Sequence, residues 1–142
     1  SGLRFPLSIK DDSTSQEVIR TLLAIDEEKK SIIFAGNIPQ GAKARLMKPD
    51  IDALIDGAGQ AAELANQNNG KPALGLVVSC VGRKIVMSQL VDEELEAVSE
   101  ELGDNVQLTG FYSYGEIAPF EDDIKNCQLH NQTMTLTVIY EN

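Results

Sequence analysis

The stretch ALGLVVSCV, residues 73–81, is a continuous apolar run with the length of one strand. A strand that is covered on both faces has this composition, whereas a strand with one solvated face alternates apolar and polar residues. We therefore predict that residues 73–81 form the central strand of a sheet, and the other elements are assigned outward from it.

Amphipathic helices are predicted before and after this strand. The first begins after Pro49 and Asp50, which are typical of a helix start, and NQNNG, residues 66–70, ends it. The second carries acids in its first turn and ends at Gly103, its predicted cap. The two apolar stripes consist of Ile51, Leu54, Ile55, Ala58, Ala62 and Ala65, and of Val91, Leu95, Val98 and Leu102.

Further strands are predicted in both parts of the chain that flank these helices. Residues 15–36, SQEVIRTLLAIDEEKKSIIFAG, place aliphatic residues on both sides of a charged turn, and residues 42–47, AKARLM, form a short amphipathic strand. VQLTGFYSY, residues 106–114, and TMTLTVIYE, residues 133–141, are the last two strands. The pattern predicts an α+β fold, a mainly antiparallel sheet of about six strands with two principal helices packed on it, and leaves the strand order open.

Composition limits the classes of partner. With 142 residues, of which 42% are hydrophobic and 24% charged, we expect residues 1–142 to form a single domain. The net charge of −10 repels phosphate backbones and anionic headgroups, which argues against nucleic acid and membranes as partners. The acidic run Asp92, Glu93, Glu94 and Glu96 is interpreted as a solvated helix face.

The cysteines and the chain start give expectations about the cellular context. Only Cys80 and Cys127 occur, which is typical of a reducing, cytoplasmic location, and we interpret Cys80 as a buried packing residue. No stretch reaches the roughly 18 apolar residues that span a bilayer. The opening SGLRF lacks a Met, so we expect a fragment of a longer protein.

The polar residues that point to function follow or precede predicted strands. Arg83 follows SCVG, Glu116 follows YSYG, and His130 and Asn131 precede the last strand. Gly82 and Gly115 stand directly before the two charged residues, and glycine permits a turn or a close approach of a ligand. If YSYG runs antiparallel to TMTLTVIYE and GLVVSC runs parallel to TGFYSY, these residues converge at one edge of the sheet.

The sequence gives less support to three other interpretations: a cysteine-dependent hydrolase, a zinc site and a dinucleotide-binding motif. Cys80, His130 and Asn131 supply the residue types of a thiol–imidazole–amide triad and hence a Cys-His hydrolase, but Cys80 ends a strand instead of starting a helix. Cys127 and His130 form a C-x-x-H pair that lacks the second pair of a zinc site. GAGQAA, residues 57–62, lies within a predicted helix and not after a strand, which removes the dinucleotide interpretation.

An ordered set of motifs resembles a known family. GFYSYGEIAPF (110–120), CQLHNQTMTLTVIYE (127–141), VVSCVGR (77–83) and NIPQGAKARLM (37–47) resemble the C-terminal domain of the FIST family of sensory proteins over nearly the whole chain. The resemblance implies a bacterial signal-transduction input domain that follows a FIST N-terminal domain, binds small ligands such as amino acids, is not an enzyme and needs no cofactor. The motif positions are Cys80, Gly82, Arg83, Gly110, Tyr112, Gly115, Glu116, His130 and Asn131.

These residues suit an amino-acid ligand chemically. Arg83 offers a planar fork to a carboxylate and Glu116 an acceptor to an ammonium, while His130 and Asn131 would orient the ligand. Tyr112 and Tyr114 would form the pocket wall. We further expect a buried Glu116 to have Arg83, His130 or a ligand ammonium within hydrogen-bonding reach. The alternative is a protein–protein interaction module in which the same side chains only hold loops together.

Overall fold

The computed structural model describes residues 4–10, 16–120 and 123–141. Within these ranges it contains ten strands and three α-helices. They are, in chain order, β1 (Leu7–Lys10), β2 (Glu17–Arg20), β3 (Leu22–Asp26), β4 (Ser31–Phe34), β5 (Lys43–Leu46), α1 (Ile51–Ala65), β6 (Ala73–Cys80), α2 (Val81–Met87), α3 (Val91–Leu102), β7 (Val106–Ser113), β8 (Glu116–Phe120), β9 (Asp123–His130) and β10 (Met134–Tyr140). The predicted α+β class is confirmed, and α1 and α3 are the two principal helices.

The central sheet is built around the apolar run that forms β6, with the strand order β10-β6-β7. β6 pairs antiparallel with β10, from Ser79↔Met134 to Ala73↔Tyr140, and parallel with β7 over its whole length. Parallel neighbours need a crossover connection, which α2 and α3 provide. β7 and β10 therefore run in opposite directions but do not pair, because β6 lies between them.

Helices α1 and α3 pack against each other, and α1 packs on the central sheet. Asp50 caps α1, since its side chain accepts a hydrogen bond from the Ala53 N–H at 3.2 Å. Burying a side chain the size of Val98 stabilises the fold by about 1.5–3 kcal/mol. The buried core consists of Ala58, Ala62, Val77, Val98, Leu102 and Met134.

Gly110 allows β7 to approach β6 closely. A Cβ atom at this position would lie well within van der Waals distance of the carbonyl oxygen of Val77, its partner in the parallel register. No side chain fits at that distance, so the strand pair as it stands depends on glycine.

The described strands are divided among more sheets than the sequence pattern predicts. A second three-stranded sheet has the order β2-β1-β5, and β3–β4 and β8–β9 form two separate hairpins. The predicted N-terminal strand is interrupted at Thr21, whose N–H donates to the Asn131 side chain at 3.1 Å, so β2 and β3 pair with different strands. The β8–β9 hairpin lacked a signal because residues 123–130 do not alternate regularly between apolar and polar side chains.

The helices of the described residues do not include a candidate membrane span. None of their helices combines the length and the apolar composition that a membrane span requires.

Candidate functional site

Two polar clusters lie at the carboxyl end of β6, one on each face of the central sheet. Successive strand residues point to opposite faces, so Ser79 faces α3 and Cys80 faces the other side. Both side chains are buried. α2 begins at the residue after Cys80, without an intervening loop, and carries Arg83 towards the face of Ser79.

The helix-side cluster consists of Ser79, Arg83 and Glu94. Arg83 Nε donates to Glu94 Oε2 at 2.8 Å, and Ser79 Oγ donates to Glu94 Oε1 at 3.0 Å. The Arg83 side chain is 4% exposed and the Glu94 side chain 1%, so this is a buried ion pair. Arg83 Nη2 also donates to the Leu54 carbonyl oxygen at 2.6 Å, which joins α2 to α1.

The interpretation of residues 92–96 as a solvated acidic face is wrong for Glu94. Asp92, Glu93 and Glu96 are exposed, but Glu94 is fully buried. The helical spacing indicates the burial of Glu94, because this residue lies three positions after Val91 and four before Val98 and therefore on the same face of α3. A buried acid requires a buried partner, which Arg83 supplies.

Tyr112 lies beside the helix-side cluster, as the β7 residue that pairs with Ser79. The Lys84 Nζ atom stands 4.6 Å from the centre of its ring, a cation–π contact. Burial raises the pKa of the Tyr112 hydroxyl, and the charges of Glu94 and Asp92 raise it further.

A cavity of about 230 Å³ opens between β7 and α3 next to this tyrosine. Its walls are mainly apolar, and the Ser79 and Glu94 side chains provide its polar part. The lining residues are Val77, Ser79, Glu94, Leu95, Leu108, Thr109, Gly110, Phe111 and Tyr112.

The hairpin-side cluster consists of Cys80, Ser113, Glu116 and Thr133. Glu116 is 2% exposed, and its two carboxylate oxygens accept hydrogen bonds from Ser113 Oγ and from Thr133 Oγ1, the latter at 2.8 Å. Among the described residues Glu116 forms no ion pair, so the cation expected beside it is replaced by hydroxyl groups. Hydroxyl donors satisfy a carboxylate without a second buried charge.

The Cys80 thiol belongs to the same cluster. Burial raises the pKa of this thiol; hydrogen bonds from the backbone N–H groups of Gly82 and Gln132 lower it, and Glu116 raises it. Cys80 is the residue directly before α2, so the expectation that it lies away from a helix start is wrong. The pKa of Cys80 nevertheless rises, because the loss of hydration raises it by more than the two backbone hydrogen bonds lower it.

His130 lies opposite Glu116 in the β8–β9 register but bonds elsewhere. Its Nε2 atom is 3.0 Å from the Ala118 carbonyl oxygen, and its ring meets Phe120 edge-on with centroids 4.9 Å apart. The hydrogen bonds of this imidazole and those of the Cys80 thiol involve different groups, so the triad arrangement is not assembled in the described contacts.

Asn131 fastens the end of β9 to the N-terminal half of the chain. Its Oδ1 accepts from the Thr21 N–H at 3.1 Å, and its Nδ2 donates to the His130 carbonyl oxygen at 3.0 Å. A Cβ on Gly115 would lie 3.1 Å from Leu129 and 3.6 Å from Asn131 Nδ2, so the chain passes close at this glycine.

The single site expected from the sequence is thus two groups of residues. Gly115, Glu116, His130 and Asn131 lie together at one end of the β8–β9 hairpin. Arg83 and Tyr112 lie with Glu94 on the helix side, although β6 and β7 are parallel, because α2 turns Arg83 away from Glu116. GAGQAA lies inside α1, and no group of three metal-ligating side chains occurs in the part of the chain that the structure describes.

Comparison with known proteins gives one match. The family described as FIST C domain matches residues 1–119, which is more than half of the chain. No protein of curated function and no solved structure matches it.

Proposed function

This chain belongs to the FIST C domain family, which is associated with sensory domains of signal-transduction proteins, and we propose on that premise that it binds a small amino-acid-like ligand without converting it. The family is not known as one of enzymes, which favours recognition over turnover. The observation that carries the proposal is the cavity between β7 and α3.

The size and lining of this cavity support a small solute. At about 230 Å³ it is smaller than the cavities that hold drug-sized molecules, so it suits a ligand of roughly ten heavy atoms. Leu95, Leu108 and Phe111 provide apolar contact area, while Tyr112 adds a hydroxyl at the same surface.

The charges around the cavity support a zwitterion. Glu94 lines it and Asp92 influences Tyr112 electrostatically, so an ammonium group has acceptors on the α3 side. Lys84, stacked on the Tyr112 ring, is the exposed cation nearest to that tyrosine in the described contacts and suits a ligand carboxylate. Arg83 then acts by fixing Glu94, because its own donors already serve Glu94 and Leu54.

A screen of the common amino acids by thermal shift, followed by calorimetry, tests this proposal. Ten heavy atoms at ordinary ligand efficiency give about −5 to −8 kcal/mol, which is micromolar to sub-millimolar affinity. We expect Tyr112→Ala to abolish the response and Tyr114→Ala to preserve it, since Tyr114 is 85% exposed and does not line the cavity. Equal responses in both variants, or no response of the unmodified domain to any amino acid, would contradict the proposal.

A ligand role for Glu116, His130 and Asn131 stays a prediction. Their described hydrogen bonds are internal, which supports a role in holding the β8–β9 hairpin against Thr21 and Thr133. In the same screen, a lower ligand affinity of His130→Phe would support that ligand role, whereas lower stability with unchanged affinity would assign His130 to the hairpin contacts alone.

A second candidate function, protein interaction, is favoured by the β3–β4 hairpin. Four of its aliphatic residues are about half exposed or more: Leu23, Ile25, Ile32 and Ile33. Ile25 and Ile32 are direct partners and form an exposed apolar patch on one face of the hairpin, whereas Ile33 lies on the other face. A two-stranded hairpin has marginal stability by itself, and a monomeric protein seldom exposes a contiguous apolar patch that has no contact function. We propose that a FIST N-terminal domain covers this hairpin, in a cytoplasmic protein whose Cys80 and Cys127 remain reduced.

Co-purification with the FIST N-terminal domain tests the second candidate. Ile25 and Ile32 are direct partners in the hairpin register, so Ile25→Lys together with Ile32→Lys places two charges at one point of the patch. Glu27→Lys, in the exposed turn of the same hairpin, is the matched control. Retention of both variants by the N-terminal domain would exclude the hairpin as the contact surface.

A further inference from the structure

Arg20 is a buried cation whose described hydrogen bonds all go to backbone carbonyl groups. It is 7% exposed, and its donors serve backbone carbonyl groups: Nε donates to Asn37 at 2.9 Å, and Nη1 donates to Ile19 at 3.1 Å and to Leu129 at 2.9 Å. No aspartate or glutamate of the described residues forms an ion pair with it.

The charge of this guanidinium persists although its surroundings oppose it. Burial lowers the pKa of Arg20, but an arginine side chain does not lose its proton in proteins. A buried cation that meets only neutral carbonyl groups is poorly compensated, and an anion at hydrogen-bonding distance would remove that penalty.

The backbone of Gly36 and Asn37 lies directly against the Arg20 guanidinium. Gly36 lies against it, and a Cβ on Gly36 would stand 2.9 Å from Arg20 Nε. Gly36 also has a φ of +156°, a conformation that other residues rarely adopt. The glycine and the Asn37 carbonyl oxygen together fix the guanidinium plane.

A cavity of about 470 Å³ adjoins Arg20. Ile9, Val18 and Leu129 give it apolar walls, and among the described residues that line it Arg20 is the only charged one. The full lining is Ile9, Gln16, Val18, Arg20, Gly36, Asn37, Pro39, Phe120, Gln128 and Leu129. It shares no residue with the cavity between β7 and α3.

We propose that this cavity binds the carboxylate of a small organic monoanion through Arg20, with the apolar part of the ligand against Val18 and Leu129. The described bonds use Nε and Nη1, which leaves Nη2 as the donor for the carboxylate. A single guanidinium matches a single carboxylate, whereas phosphate sites usually gather several donors. The net charge of −10 also disfavours a dianion.

NMR titration of the ¹⁵N-labelled domain tests this site at constant ionic strength. The probes are sodium butyrate, sodium phosphate and sodium chloride, and the signals are the Gly36 and Asn37 amides and the Arg20 Nε–H. We expect saturable shifts with butyrate and only small, linear changes with the two inorganic salts. Saturation by phosphate in place of butyrate, or no saturation by any probe, would overturn the proposal.

Two variants separate ligand binding from folding. Val18→Phe keeps Arg20 but fills the cavity, so it should weaken butyrate binding about tenfold or more; Ile19→Phe, on the opposite face of β2, is the matched control and should bind normally. Unchanged butyrate affinity in a folded Val18→Phe protein would overturn the proposal. The amino-acid screen reports on Tyr112, so failure at either cavity is distinguished from failure at the other.

Discussion

Loss of the Glu94 charge should destabilise the domain far more than loss of a neighbouring charge on the same helix. Glu94→Gln keeps the size of the side chain and an oxygen for Ser79, but it leaves Arg83 buried without its counter-ion. Breaking a buried ion pair by removing one partner costs about 3–5 kcal/mol, and the retained Ser79 contact places this variant near the lower limit. We expect the free energy of unfolding to fall by about 3 kcal/mol.

Urea unfolding followed by circular dichroism measures this difference. Glu96→Gln is the matched control, because Glu96 is exposed on α3 and its loss should change stability by less than about 0.5 kcal/mol. Replacing both partners, Arg83→Met with Glu94→Leu, should restore much of the loss, since an apolar pair needs no compensation. Equal midpoints for Glu94→Gln and Glu96→Gln would refute the assignment of a buried ion pair.

Further predictions concern the glycines and the thiols. Gly110→Ala should prevent folding because its Cβ would meet the Val77 carbonyl oxygen. Gly57→Ala, in open space on α1, should raise the free energy of unfolding by about 0.5–1 kcal/mol. Circular dichroism measures both, and a stable Gly110→Ala protein would refute the close strand approach. Cys80→Ala should cost about 1 kcal/mol, and a thiol reagent at neutral pH should label exposed Cys127 before buried Cys80; the reverse order would favour a reactive Cys80. Because folding raises the pKa of Cys80, its contribution to stability is present below the ordinary thiol pKa of 9.0 and is lost as the pH rises above it, so unfolding curves from pH 8 to pH 10 should fall more steeply for the unmodified domain than for Cys80→Ala.

The sequence predicted the parts of the fold that carry strong periodicity. Residues 73–80 form the central strand, as the apolar run predicts, and α1 and α3 pack on the face that carries Val77. The expectation that this strand is covered on both faces is wrong for the described residues, because Leu74 on the opposite face is 43% exposed. β8 and β9 gave no such signal, since polar and apolar residues follow one another irregularly there. Their pairing depends on register, which single-sequence patterns do not encode.

The sequence pointed to several of the buried polar residues but not to the groups that they contact. Strand ends pointed to Glu116 and His130, which lie opposite each other, but not to the Ser113 and Thr133 hydroxyls that satisfy the carboxylate. Glu94 belongs to a run of acidic residues, and in the sequence only its position on the helix distinguishes it from its exposed neighbours. Arg20 belongs to no motif, and it stands out only because the described acids form no ion pair with it in the folded chain.

The central position of β6 also has a kinetic consequence. Its partners lie far along the chain, since Ser79 pairs with Met134 and Ala73 with both Val106 and Tyr140. The hairpins close short loops on the order of microseconds. The distant pairings lose much more chain entropy before their contacts contribute any favourable free energy. The assembly of β6 between β7 and β10 should therefore set the refolding rate, with amide protons of the hairpins protected before those of the central sheet.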